Sequence, residues 1–416
     1  MADSKHNLVD QIDVAQQRIT DVFLRQCMYG AQTSALPGEF AACGQFIGDD
    51  AETISQYGLH GISAALRVLG PCQSSECRSI VHKMVSYCEA SLGVASGQSL
   101  DTKLAVGDTD NVIKLGELLY GLYFVTVAQA ERDRLVNSVA DRLMKSLINN
   151  RGWGYFIGEE SPELLPSAYA VRGLAQHGYD VSGPRKFVLD SLVAKNRTTG
   201  TSPADLTTAI ACAYCLTFCK REGTAQDPVL RSAFMSAWPS FEPLFGEDIE
   251  QNLEYWREKT TDPMRDRKTE YVRIPFQLYL MALAAEYSRW RRFAGFRAQR
   301  RLKSTLDALR NASFKYRYSG RCLSSRTNGI AYDALAYIRE HVRHFTTLRL
   351  AYTVDRVRVA VGSVPFRIIA AAGVLVFSCL SVRAWLAAGG KLADLAPELL
   401  VSLIALVLAW AKGSHG

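Results

Sequence analysis

A short acidic motif, Asp108-Thr109-Asp110-Asn111, has residue types suited to catalysis. Two carboxyl groups this close repel each other when both are ionised, and burial strengthens the effect, so one of them can keep its proton and serve as a general acid. The same residues are common where helices begin, because their oxygens accept hydrogen bonds from free amide groups. The motif therefore predicts either an acid pair or a helix N-terminus.

Two further sets of side chains could bind a ligand or a metal. His60 lies in a strongly apolar segment, where it is either a ligand contact or a hydrogen-bonded core residue. Cys212 and Cys215 have the spacing of a metal pair, but they lie in an apolar segment without a neighbouring histidine. We interpret these thiols as core packing, and the sequence predicts neither a metal site nor a cofactor.

Aromatic residues and glycines alternate in Gly152-Trp153-Gly154-Tyr155-Phe156. Such aromatics stack on sugars in some carbohydrate-active enzymes, where paired acids act as general acid and base, and three glutamates follow closely here. The three are Glu159, Glu160 and Glu163. Alternatively, the aromatic rings wedge neighbouring helices together. Both alternatives stay open at this point.

Basic residues are concentrated in one region near the C-terminus. Residues 289–358 contain seventeen Lys or Arg against four acids, a local charge of +13, whereas the rest of the chain carries −6. Six arginines interleave with aromatic residues at the start of this region: Arg289, Arg291, Arg292, Arg297, Arg300 and Arg301. They suit anionic lipid headgroups, a diphosphate, or simply a solvated helix. A neighbouring apolar anchor argues against nucleic acid as the partner.

The apolar anchor consists of two uncharged runs, residues 368–382 and 399–411. We expect two short transmembrane helices within residues 365–412, preceded by a basic juxtamembrane segment at 346–364. Basic flanks stay on the cytoplasmic side, which predicts a membrane protein with its N-terminal domain and C-terminus in the cytoplasm. Two buried helices or a hairpin inserted in one leaflet are the alternatives.

The first 345 residues have helical periodicity almost throughout, which predicts the all-α class. Six apolar segments rich in small residues recur, separated by more charged amphipathic ones. The apolar segments are 54–70, 110–127, 164–180, 205–219, 271–287 and 328–341. A helix can be apolar all round only when it is covered on nearly every side, so the alternation predicts six inner helices inside an outer ring. This architecture is a single (α/α)6 toroid.

The toroid resembles the terpene cyclase and prenyltransferase superfamily. The resemblance rests on Gly152-Trp153-Gly154-Tyr155, on the following SAYAVRGLAQHG segment, and on Asp108-Thr109-Asp110-Asn111, which is similar to the acid motif of cyclases. It implies that Asp110 is the general acid and Asp108 its neighbour, and that Trp153, Tyr155 and Tyr169 shape a cavity for an isoprenoid.

Two functions follow as hypotheses. In the first, a membrane-anchored toroid binds or converts an isoprenoid or similar lipid, with Asp110 as the acid in the catalytic version. In the second, a non-catalytic sensor or effector binds a ligand or partner, and its transmembrane hairpin carries the response. Asn111 in place of a final acid is the departure from the cyclase motif that motivates the second hypothesis.

Overall fold

The computed structural model describes residues 8–33, 40–44, 46–48, 58–94, 109–195, 203–217, 219, 232, 253–258, 270–275, 283, 315–316 and 322–340. The chain divides into two compact units, Met1–Arg349 and Leu350–Gly416, and every described residue belongs to the first.

The described part of this unit is mostly helical, as predicted. Five short strands accompany the helices: β1 Phe46–Gly48, β2 Leu253–Glu258, β3 Glu270–Pro275, β4 Lys315–Tyr316 and β5 Cys322–Ser324. Strand β5 pairs antiparallel with β1 and β4, and β2 pairs antiparallel with β3. The helices described are α1 Leu8–Thr33, α2 Leu59–Leu69, α3 Ser75–Ser91, α4 Val112–Tyr123, α5 Gln129–Lys145, α6 Leu164–Gln176, α7 Ser182–Lys195, α8 Pro203–Thr217 and α9 Ser325–Glu340.

Five helices pack side by side in the order α9, α2, α4, α6, α8. Helices α2, α4 and α6 bury nearly all of their residues, including small ones that bring backbones close together. A Cβ added at Gly116 of α4, for example, would lie 2.6 Å from the carbonyl oxygen of Tyr169 in α6. The amphipathic helices α1, α3, α5 and α7 pack against this row, each with a more exposed face. The predicted alternation of covered and amphipathic helices is therefore present.

Polar side chains fix where two of these helices begin. The Asn111 carboxamide oxygen accepts a hydrogen bond from the Lys114 amide at 3.1 Å, and the Ser74 hydroxyl accepts one from the Cys77 amide at 3.2 Å. Each side chain satisfies an amide of the first turn that has no partner within the helix. Asn111 and Ser74 are thus the N-caps of α4 and α3.

The prediction of a helix across residues 271–287 was wrong for its first part. Residues Glu270–Pro275 form strand β3, and the segment alternates β-branched Val272 and Ile274 with other residues. This period of two favours a strand, and Pro275 closes it because proline cannot donate to the ladder. Leu283, farther along the same segment, is helical and buried.

Several predicted features lie outside the described residues. These are the juxtamembrane segment 346–364, the two spans within 365–412, Asp108, and the arginines Arg289, Arg291, Arg292, Arg297, Arg300 and Arg301. Within the ranges that are described, no helix is both long and apolar enough to cross a bilayer.

Candidate functional site

Charged and aromatic side chains from five helices meet in the interior of the helical unit. All of them are buried, with relative exposures of at most 7%. We call this set the core cluster; its members are His60 and Arg67 on α2, Glu117 and Tyr120 on α4, Tyr169 and Arg172 on α6, Tyr214 on α8, and Arg326 and Asp333 on α9.

Helical spacing places these side chains on shared faces. His60 and Arg67 are seven residues apart, two turns along α2, and Arg326 and Asp333 have the same spacing on α9. Residues three or seven apart lie on one side of a helix, so each helix directs its pair toward the same neighbours. The cluster is therefore a consequence of helix packing order and sequence spacing together.

Glu117 is the anionic centre of one half of the cluster. One carboxylate oxygen contacts His60 Nδ1, and the other lies 2.9 Å from Arg326 Nε. Burial alone would raise the pKa of Glu117, but Arg326 and His60 outweigh burial and hold that pKa well below its usual range. Glu117 is thus ionised at neutral pH.

Asp333 is the second buried carboxyl, and its surroundings act in the opposite direction. It accepts a 2.9 Å hydrogen bond from the Tyr214 hydroxyl and lies 3.2 Å from Arg67 Nη1. Burial nevertheless prevails over Arg67 and Arg172, so the pKa of Asp333 is raised. The two buried carboxyls of the cluster therefore have pKa values shifted in opposite directions.

Arg172 occupies the most unusual environment of the cluster. Its guanidinium carbon lies 4.0 Å from the centre of the Tyr120 ring, 5.2 Å from that of Tyr169 and 5.1 Å from that of Tyr214. The side chain is fully buried, and within the described part of the chain none of its three guanidinium nitrogens has a hydrogen-bond partner. A buried cation left without acceptors is costly, and such a group commonly marks the place of an ion or ligand.

The cluster as a whole carries positive charge. Among the residues described, three guanidinium groups face two carboxylates. Asp333 contacts Arg67, and Glu117 contacts Arg326. Arg67 and Arg326 also lie over the rings of Tyr120 and Tyr169, at 4.8 Å and 5.0 Å from the ring centres. The negative side of an aromatic ring stabilises a cation only in part, so the described residues balance the positive charge of this interior incompletely.

The structure places Asp110, the described aspartate of the acid motif, outside this cluster. Asp110 precedes the N-cap of α4, its side chain is half exposed, and its carboxylate forms an ion pair with Arg142 of α5. The geometry of this end of α4 is that of the helix N-terminus, which was the alternative interpretation of the motif.

Among the predicted aromatic residues, Tyr169 belongs to the core cluster, as does His60. Trp153 instead packs between α5 and α6: its indole donates to the Leu143 carbonyl at 2.7 Å, and its amide donates to the Ser167 hydroxyl at 2.9 Å. Tyr155 is partly exposed, and its amide donates to Glu159 at 2.6 Å. Trp153 therefore acts as a wedge between helices, the second of the two alternatives.

Cys212 and Cys215 lie in the buried part of α8, as expected for packing residues. Burial raises the pKa of Cys215 to about 11, which keeps it a neutral thiol. In the described residues no group of His, Cys, Asp or Glu side chains has a metal-binding arrangement.

Most of the core cluster was not predicted from the sequence. The usable signal was a charged residue inside an otherwise apolar segment, as with Arg67 in ISAALRVLG, Glu117 in LGELLYG and Arg172 in AYAVRGLA. Charged residues are seldom fully buried unless paired, so their recurrence in successive covered helices indicates that they meet.

An open cleft of about 760 Å³ lies at the opposite end of α6 from its N-terminus. Tyr123, His177, Tyr179 and Arg185 are among its lining residues. His177 Nε2 is within 2.8 Å of the Leu119 carbonyl, which ties this residue to α4. The core cluster combines more buried charge with more aromatic surface, and it is the stronger candidate.

The chain's sequence matches no known protein-family model, and no curated protein is similar to it. Its function is therefore inferred from the geometry of the core cluster.

Proposed function

We propose that residues 1–345 form a single (α/α)6 toroid that binds an anionic lipid-like ligand, such as an isoprenyl diphosphate, at the core cluster. The packing order supports a ring, because α9, the last described helix, packs beside α2, the first of the covered helices. The remainder of segment 271–287 would supply the sixth inner helix between α8 and α9.

Arg172 carries the proposal. Its guanidinium is fully buried, is surrounded by three tyrosine rings, and has no acceptor among the described side chains and backbone. Phosphate oxygens fit the fork of an arginine in bidentate fashion and would supply the missing acceptors. The aromatic rings and the apolar walls of α4 and α6 suit an attached hydrocarbon tail.

The predicted anchor fits such a ligand. Two short spans within residues 365–412 would hold the toroid at the cytoplasmic face, where isoprenoid lipids partition, and the arginines between 289 and 301 would contact anionic headgroups. Because Arg172 is enclosed, ligand entry requires the helices around it to separate, and slow association is expected.

Binding without turnover is the version that we favour. The ion pair between Asp110 and Arg142 supports it, because the carboxylate of the predicted general acid is engaged by an arginine at a half-exposed site. The protein would then be a sensor or effector in which the toroid binds the lipid and the hairpin carries the response. Catalysis with Asp110 as the acid is the second candidate.

The test is binding of farnesyl diphosphate to purified full-length protein in detergent, with farnesol and inorganic pyrophosphate as the two partial ligands. An Arg172→Met variant should lose roughly 10- to 100-fold in affinity for the diphosphates, the value of one hydrogen-bonded charge. It should remain folded, because an apolar side chain of similar length replaces an unpartnered buried charge.

The matched control is Arg142→Met, which removes an arginine outside the cluster and should leave the affinity unchanged. Equal affinity in wild type and Arg172→Met would refute the site. Recovery of unaltered farnesyl diphosphate after incubation supports a binding role. Release of a hydrocarbon or alcohol would instead show catalysis, and Asp110→Asn would then decide whether Asp110 is the acid.

A further inference from the structure

Two cysteines lie close together where α2 passes into α3. Cys72 is partly exposed in the connecting loop, and Cys77 is buried in the first turn of α3. Both contact the hydroxyl of Ser74: the Cys72 sulfur lies 3.5 Å from it, and the Cys77 amide donates to it at 3.2 Å. The loop therefore folds back on the start of the helix, and Ser74 joins the side chain of Cys72 to the backbone of Cys77.

The two thiols also differ in acidity. Burial acts to raise the pKa of Cys72, but hydrogen bonds with Cys77 and Ser74 outweigh it and lower that pKa below its ordinary value. Burial and the bond to Cys72 raise the pKa of Cys77 to about 11. Cys72 is thus the better thiolate, near a helix N-terminus that also favours negative charge, while Cys77 stays protonated beside it.

We propose that Cys72 and Cys77 form a dithiol site that peroxide oxidises to a reversible disulfide. Cys72 has the exposure and thiolate character of a peroxide-reactive cysteine, and Cys77 is the resolving thiol next to it. This inference is independent of the ligand proposed for Arg172. It adds a chemical modification to the connection that follows α2, the helix that carries His60 and Arg67.

The reaction would proceed in two balanced steps. The Cys72 thiolate attacks one oxygen of hydrogen peroxide, so that a sulfur–oxygen bond forms, the oxygen–oxygen bond breaks, and hydroxide leaves and is protonated to water. Cys72 is then a sulfenic acid, oxidised by two electrons. Cys77 loses its proton and attacks the Cys72 sulfur, which forms the disulfide and releases the second hydroxide as water.

Other cysteines of the unit provide comparisons. Cys88 lies on the same helix α3, is fully buried, and has a pKa raised by burial to about 12. Cys27 and Cys43 are both fully buried. Peroxide reaches these thiols less readily than Cys72, so the reaction should be selective.

Trypsin provides a direct readout, because cleavage after Arg67 and Arg78 releases Val68–Arg78 with Cys72 and Cys77 as its two cysteines. The full-length protein is treated with hydrogen peroxide, alkylated, digested and analysed by mass spectrometry. The expected product is this peptide unalkylated and lighter by two hydrogen atoms, and dithiothreitol should restore two alkylation sites. In Cys77→Ala, Cys72 should instead accumulate as a sulfenic acid that dimedone traps.

Cys88→Ala is the matched control and should form the disulfide as readily as wild type. The proposal is overturned if the peptide keeps two alkylatable thiols while other cysteines are oxidised. It is equally overturned if Cys72 gains oxygen in the wild type without forming the internal disulfide, or if the disulfide resists dithiothreitol in the native protein.

Discussion

Replacing Glu117 by glutamine should destabilise the helical unit more than any exposed charge change. The wild-type carboxylate contacts both His60 and Arg326, and all three side chains are buried. Glutamine keeps the size but removes the charge, which leaves the Arg326 guanidinium uncompensated in the interior. Breaking a buried pair in this way costs about 3–5 kcal/mol, which corresponds to a fall in Tm on the order of 10 °C.

The pH dependence distinguishes this explanation from a packing defect. The pKa of Glu117 is lower in the folded protein than in the unfolded chain, where a glutamate titrates near about 4.3. Such a group stabilises the fold above the unfolded pKa, and its contribution is lost as the pH falls toward the folded pKa. The deficit of Glu117→Gln should therefore be full at pH 7 and shrink below about pH 4.

Thermal unfolding of the detergent-solubilised full-length protein, followed by intrinsic fluorescence across pH 3 to 8, measures both effects. Glu160→Gln is the matched control because Glu160 is exposed, and it should unfold within about 0.5 kcal/mol of wild type. A Glu117→Gln variant as stable as this control at pH 7, or a deficit that does not change with pH, would refute the reasoning.

Two further variants test how the helices are positioned. Asn111→Ala removes the N-cap of α4 and should lower the free energy of unfolding, measured by chemical denaturation, by about 1 kcal/mol. Asn137→Ala, on the exposed face of α5, is the reference. An effect no larger than that of the reference would contradict the capping role. Gly116→Ala places a Cβ against the Tyr169 carbonyl and should lower the free energy of unfolding by roughly 1–3 kcal/mol, despite the better helix propensity of alanine. Any gain in Tm would show that α4 and α6 do not approach this closely.

The spacing of apolar residues predicted most of the helices, because this spacing is a property of each segment by itself. Apolar, small-residue stretches such as 164–180 and 205–219 became covered helices, since burial on all sides requires that composition. The failure at 271–287 has a local cause as well: an apolar composition does not separate strand from helix, and the alternation around Val272 and Ile274 is the signal that decides.

The site was harder to predict because it depends on contacts between distant segments. His60 was singled out from its apolar surroundings in sequence, and Tyr169 from the resemblance to terpene cyclases. The meeting of Arg172 with Tyr120 and Tyr214, however, depends on α4, α6 and α8 being neighbours. Asp110 lies in a segment with the composition of an acid motif, but its carboxylate forms an ion pair with Arg142 on α5. The chemistry of a motif depends on such contacts, and a single sequence does not show which residues make them.

The enclosure of Arg172 by tyrosines from three helices has a consequence for how the protein unfolds. Arrays of paired helices often lose their repeats one after another, since each repeat contacts only its neighbours. Here, detaching α8 or α4 would expose the charges and rings that the remaining helices hold in common. The shared interior therefore makes partial unfolding unfavourable and couples the helices into one cooperative unit.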